Sequence, residues 1–325
     1  MAFKTVSGRS VLFILFASIT VCFASSSHLI ARDSQPLKVA LLPIIDSLPY
    51  YIAEADGDFK KAGIQVKMLP VMSGLNRDQL MQAGEVDGML NELTTVANFN
   101  RKNSQVKAVY SIRSAHAKYP MFRLVASPGN KLNKVSDLSG ASIGISKNTI
   151  IEYMTDRLLQ AEGLDPARLD KRSIPAIPER FQLLMQGQLE TVVLPDPLGS
   201  AALAAGARLI IDDSANPQYS ISLLTFSNES INNKTETLQR FLAAWDNAAA
   251  RLNKSPESYR SLMLKKIRIP KNVQKSYPIP RFSQSSVPSQ KQWEDVMKWM
   301  VGKGLLKAAL SYNSSITADF LPTKP

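Results

Sequence analysis

The chain states one short pattern twice, and that duplication limits what it can fold into. Leu80-Met-Gln-Ala-Gly-Glu-Val-Asp-Gly-Met-Leu90 returns about a hundred residues later as Leu183-Leu-Met-Gln-Gly-Gln-Leu-Glu-Thr-Val-Val193. With Gly84 set over Gly187, Leu80 falls on Leu183, Asp87 on Glu190 and Met89 on Val192. Each copy reads as the last turn of an amphipathic helix, a glycine free to take positive φ where the helix ends, and a buried strand. The strands stop at polar residues, Asn91-Glu92 and Pro195-Asp196.

The duplication extends upstream. Gly63 and Gly163 each close an earlier helix, and apolar strands lie ahead of those helices at 38–42 and 141–145. Strand, helix, strand, helix, strand thus occurs twice, an alternation that favours parallel sheets. Ligands of open parallel sheets collect beyond the carboxyl ends of the strands. Two such sheets facing one another would line a single cleft from both sides.

The chain has 325 residues, room for two lobes, and its composition (45% hydrophobic, 20% charged) is that of a globular protein. The N-terminus stands apart. Lys4 and Arg9 precede the apolar run 11–16, which weakens towards Ala24 and ends in small residues. That is the outline of a secretory signal, residues 1–24, followed by a flexible leader at 25–36. Cys22, the one cysteine, would leave with the signal. Lipid attachment at Cys22 is the second reading, disfavoured by the bulk of Val21, and an uncleaved anchor is the third. A mature chain without cysteine has no disulfide, thiol nucleophile or cysteine metal site. Losing Lys4 and Arg9 lowers the formal charge from +12 to +10. The remaining basic residues are densest at 265–275 and are not interleaved with stacking aromatics, so no nucleic-acid partner is expected.

Along the chain, strands are expected at 37–42, 64–69, 86–90, 106–112, 121–126, 141–145 and 208–211, and 220–226 is expected to mark the return. Ser47 would cap a helix running to about Ala62, and Thr149 with Glu152 forms a capping box for a helix to Ala161. The closing helix carries Trp293, Val296, Met297 and Met300 at core spacing. A crossover is expected at 113–120, near Arg113 and His116.

Four stretches then resemble a known family. They are Gly57-Asp-Phe59 through Gly63-Ile-Gln-Val66, Ala83-Gly-Glu-Val-Asp87, Asp137-Leu-Ser-Gly140 through Leu194-Pro-Asp-Pro197, and Trp293 through Lys303-Gly-Leu-Leu306. In this order they resemble extracytoplasmic solute-binding proteins of ABC importers, in the branch that includes sulfonate, taurine, nitrate and thiamine-precursor binders. The resemblance implies an α/β, two-lobed periplasmic-binding-protein-like fold of type II, two βαβαβ lobes joined by a hinge. Lobe one would comprise 37–118 and 225–325, and lobe two 119–224. It also implies a periplasmic monomer that delivers a small molecule to a permease and its ATPase, with no cofactor, metal or catalytic residue.

Candidate ligand contacts follow from the strand ends. Asp46, Ser47 and Tyr50 succeed the first strand. Ser47 is equally a helix cap, and Tyr50 equally an interlobe packing ring. Ser73 lies on a glycine turn and is a contact or a cap. Asn91 and Glu92 end an apolar strand and need partners. Ser146, Asn148 and Thr149 precede a helix whose free N–H groups suit an anion. Asp196 sits in a rigid Pro-Asp-Pro turn and would bind a ligand amine or hold the hinge. The carboxylates suggest a ligand with donors, such as an amine-bearing heterocycle, and the helix end suggests an acid group such as a sulfonate. An enzyme making a thiamine-type pyrimidine on the same scaffold would need more than His28 and His116. A sensing domain for a signalling partner is the third alternative.

Overall fold

The computed structural model describes residues 35–323. The expected signal, Cys22, and all but the last two residues of the leader lie outside the described residues. The first half runs β1 (Leu37–Leu41), α1 (Leu48–Ala55), α2 (Asp58–Lys61), β2 (Val66–Pro70), α3 (Gly74–Gln82), β3 (Gly88–Asn91), α4 (Leu93–Asn100) and β4 (Val106–Ser114). The second runs β5 (Phe122–Ala126), β6 (Ser142–Ile145), α5 (Ile150–Ala161), β7 (Asp170–Ser173), α6 (Ile177–Met185), β8 (Thr191–Pro195), α7 (Leu198–Ala204) and β9 (Arg208–Asp212). The chain then returns through β10 (Ile221–Ser227), α8 (Asn228–Asn233), α9 (Thr235–Lys254), α10 (Arg260–Lys266), α11 (Gln290–Gly302) and α12 (Tyr312–Ser315).

Ten strands form two sheets of matching order, β2-β1-β3-β10-β4 and β7-β6-β8-β5-β9. The duplicated pattern is a duplicated structure. Val39 pairs with Gly88 and Ala40 with Met89, as Ile143 pairs with Thr191 and Gly144 with Val192, all parallel. Asp87 and Glu190, superposed by sequence, do the same work. Asp87 Oδ2 accepts the Lys38 N–H at 2.7 Å and Glu190 Oε2 accepts the Ser142 N–H at 3.0 Å. Each carboxylate thus satisfies a main-chain donor at the start of β1 or β6, the neighbour of its lobe's central strand.

Three expectations need correction. Neither sheet is wholly parallel, because β10 and β5 run antiparallel to β3 and β8. Both strands begin where the chain arrives from the other sheet, so each starts at the facing edge and runs away from it. The helix expected over 47–62 is broken at Gly57, which takes φ 73° and separates α1 from α2. Residues 221–224, assigned above to the second lobe, belong to β10 of the first sheet.

Beneath the first sheet, Phe226, Leu224 and Val109 pack on Phe241, Trp245 and Ala249 of the amphipathic α9. On its other face the core is continuous into the second lobe. Met89 and Val96 share one cluster with Tyr153, Leu159, Trp293 and Trp299.

Asp213 joins the two crossovers. It is fully buried, and its oxygens accept the N–H groups of Met121 at 2.9 Å and Phe122 at 3.2 Å. Burial pushes its carboxyl up to about 6, against the pull of those N–H groups and Ser220. The folded chain therefore binds more protons at this site than the unfolded chain, whose aspartates titrate near 3.9. The site's contribution is full below that value and is lost as pH rises through about 6. Asp213→Asn keeps an acceptor and removes the titration. Urea denaturation from pH 4 to 7 should show wild type losing about 2–3 kcal/mol relative to Asp213→Asn; parallel curves would refute the assignment.

Candidate ligand cleft

Buried charges follow the carboxyl ends of β1 (Asp46) and β8 (Asp196) and lie at that of β4 (Arg113). In the first lobe Asp46 is the centre. Its Oδ1 accepts Arg113 Nε and Ser222 Oγ, both at 2.7 Å, and Oδ2 accepts Arg113 Nη2 at 3.4 Å. Arg113 comes from the end of β4 and Ser222 from the start of β10, so three strand ends share one carboxylate. Arg113 Nη1 has no partner among the described residues. Ser47 is not a side-chain cap: its hydroxyl turns back to the Leu42 carbonyl at 2.7 Å, while Pro49 in the first turn of α1 needs no N–H partner. Tyr50, read as a ligand or interlobe ring, is a core side chain. It is 1% exposed, edge-on to Tyr51 and beside Phe59, with its hydroxyl donating to Glu54.

Ser73 caps α3, accepting the Asn76 N–H at 3.2 Å. Asn91 is fully buried; its Oδ1 accepts Thr225 Oγ1 at 2.7 Å and its Nδ2 has no partner. Glu92 follows it, half-buried, accepting Thr95 Oγ1 at 3.3 Å and Arg77 Nη1 at 3.5 Å. Burial raises the Glu92 carboxyl, Asp78 and Asp46 push it further, and Arg77 and Thr95 oppose them.

In the second lobe Asp196 accepts Arg123 Nε and Nη2 at 3.0 Å each, and also the Ser200 N–H at 3.0 Å and Oγ at 3.1 Å. Gly199 leaves room for this fork, since an added Cβ would stand 2.9 Å from Asp196 Oδ1. Thr149 caps α5 through the Ile151 N–H at 3.2 Å. The expected capping box is displaced: Glu152 Oε2 reaches the Asn148 N–H at 2.7 Å, where Asn148 takes φ 62°. Burial acts to raise Glu152, yet that N–H with Lys303 and Lys171 holds it below the usual range. Ser146 is partly buried and its carbonyl accepts Thr149 Oγ1 at 2.8 Å.

Asp46, Glu92 and Asp196 fall within one electrostatic neighbourhood. Glu92 is influenced by Asp46, and Arg113 by both Asp46 and Asp196. Tyr277, from the proline-rich stretch after α10, lies among them. It is buried, and its phenol is pushed up by burial and by Asp196 and Asp46, with Arg113 and Arg123 opposing. Lobe-to-lobe contact continues beside it, where Asn272 Nδ2 donates to the Ala201 carbonyl at 2.9 Å. His116 is exposed in the crossover turn, paired with Tyr119 through the main chain. Arg77, Arg123, Arg180 and Tyr277 were missed from sequence. Only Arg77 and Arg180 left a signal there, falling at the same offset as Gly84 and Gly187.

A model of the NMT1/THI5-like family matches residues 44–259, two thirds of the chain. The chain belongs to the NMT1/THI5-like family. No curated protein matches the sequence. Among solved structures, this family member is similar to the ligand-binding component of an ABC-type import system from Staphylococcus aureus (12% identity, 88% of this chain and 97% of that one, TM-score 0.72). It is similar to the periplasmic aliphatic sulphonate-binding protein SsuA from Escherichia coli (16% identity, 89% and 93%, TM-score 0.72). It also resembles the desulfurization enzyme DSZB (14% identity, 87% and 97%, TM-score 0.60). The fold is therefore the two-lobed periplasmic-binding-protein fold, and it carries both binding proteins and an enzyme.

Asp46 and Arg113 are 5% and 2% exposed at their side chains. Removing one partner of such a pair leaves the other charged and unpaired. Asp46→Ala should cost about 3–5 kcal/mol in chemical denaturation, and adding Arg113→Met should recover much of it. A loss in the double variant equal to the sum of the two single-variant losses would mean that the pair carries no coupling.

Proposed function

We propose that this protein captures a small polar organic solute between its two lobes and hands it to an ABC importer. One observation carries this. The charged groups at the facing strand ends come from both lobes, Asp46 and Arg113 from one and Asp196 and Arg123 from the other, and they act on one another through Tyr277 and the space between. A solute there would be held by two bodies at once, the arrangement that hinge closure needs. The first lobe would comprise β1–β4 with 221–323, and the second 119–220.

Of the sequence candidates, Glu92, Asn91 through Nδ2, Asp196, Ser146 and Asn148 would meet the solute. Asp46 acts through Arg113. Ser47, Ser73, Thr149 and Tyr50 serve the fold. The solute carries hydrogen-bond donors, as an amine-bearing heterocycle would, or an acid group such as a sulfonate, or both. Binding is favoured over catalysis because the polar groups at the cleft are acid–base pairs that satisfy one another. No nucleophile stands beside a free base, and among the described residues the sole imidazole is the crossover His116. The family's import-system neighbours point to a permease and its ATPase as partners, and to the periplasm.

Native mass spectrometry of the protein purified from its own host should show a co-purified small molecule. A thermal-shift panel of amines, aminated heterocycles and sulfonates should raise the melting temperature for one class. Glu92→Gln should weaken that ligand at least tenfold, about 1.4 kcal/mol. Absence of any bound solute, together with turnover of a panel member, would replace binding with catalysis.

A further inference from the structure

A buried arginine recurs in both copies of the duplicated unit, in different surroundings. Arg77 and Arg180 occupy equivalent positions, each on the helix that precedes the repeated glycine, and they are 3% and 0% exposed. Arg77 is fully partnered. Its Nε donates to Asp78 at 2.8 Å, its Nη1 to the Leu90 carbonyl at 3.0 Å and to Glu92 at 3.5 Å, and its Nη2 to Thr95 at 3.1 Å. In the second copy the equivalents of Asp78, Glu92 and Thr95 are Phe181, Pro195 and Leu198. The arginine is kept and every side chain that would serve it is gone.

Among the described residues Arg180 makes one bond, from Nη1 to the Ile174 carbonyl at 2.8 Å, while Nε and Nη2 have no partner there. That carbonyl lies just past β7, and the Ile174 N–H bonds to Ile145, the last residue of β6. The guanidinium therefore sits at the carboxyl ends of the second sheet, where the cleft lies. Its neighbour Phe181 packs against the core cluster of the first lobe as well as that of the second. Burial pushes the guanidinium down to about 10, so it is still cationic at neutral pH. A buried cation without a counter-charge is costly, and nothing in its own lobe offsets that cost.

We propose that Arg180 anchors an acid group of the captured solute: a ligand carboxylate, sulfonate or phosphate supplies to Nε and Nη2 what Asp78 and Glu92 supply to Arg77. The edge left open is the one by which Arg123 holds both oxygens of Asp196 at 3.0 Å, the two-pronged geometry in which arginine binds oxyanions. This rests on the capture of a solute between the lobes, since a side chain with no exposed surface is reached only when they part.

The test compares matched probes: a sulfonate, a carboxylate and a phosphate monoester of one short alkyl chain, each beside a neutral amide or alcohol of that chain. Calorimetry on wild type should find at least one acid bound thirtyfold or more tighter than its neutral match. In Arg180→Gln that ratio should fall to near one, with Arg180→Lys between. The ligand-free melting temperature should hold or rise in Arg180→Gln, because an uncompensated charge has been removed. A ratio unchanged in Arg180→Gln, with a lowered melting temperature, would make Arg180 structural and overturn the proposal. Binding of neutral or cationic solutes alone would overturn it and leave solute capture standing. Failure of every probe, and of an extract of the host's periplasm, would remove both.

Discussion

A carboxylate that ties down the start of β1 or β6, beside the central strand, sets the geometry of each lobe. Asp87 and Glu190 take the N–H groups of Lys38 and Ser142, residues whose strands pair in the same register with β3 and β8. With that end closed, the carboxyl ends of the parallel strands, where the candidate cleft is proposed, lie at the other edge. Asp87 also accepts Ser230 Oγ at 2.8 Å and Lys234 Nζ at 3.1 Å, which attaches the returning chain to the same point. The position of the cleft is thus decided by groups far from it.

The duplication was legible because it is written in helix ends and strand registers, both local. The antiparallel members of each sheet were not, because their direction depends on where the chain re-enters after a crossover. The cleft was legible in part. Asp46, Glu92 and Asp196, the carboxylates of the candidate cleft, stand out in the sequence because polar residues closing apolar strands are conspicuous. Their partners do not: Arg113 and Arg123 lie within strands whose neighbours are settled only by the fold, and Tyr277 lies in a proline-rich stretch without periodicity. Ser47 and Tyr50 were misread because sequence shows adjacency to a strand end but not which way a side chain turns.

Opposite charges at the cleft are largely internal to each lobe. Asp46 belongs to Arg113 and Asp196 to Arg123, so opening would leave each pair intact. In the proposed hinged binder those two pairs would be spared when the lobes part. Other ties do cross, among them Lys303 to Glu152, Tyr153 to Asp295 and Arg157 to Asp295, each at 2.7 Å, and they hold α11 to α5.

Trp299 stands on that seam. It is carried by α11, its indole N–H donates to Asp156 of α5 at 2.9 Å, and its ring meets Tyr153 edge-on. Trp245 and Trp293 are buried within the hydrophobic cores. Under the proposed closure Trp299 and Trp293, both on α11 in the cluster shared by the lobes, would sense the seam, while Trp245 lies in the first lobe's own core. Intrinsic emission from this chain would then be a label-free gauge of that movement, readable without adding a dye.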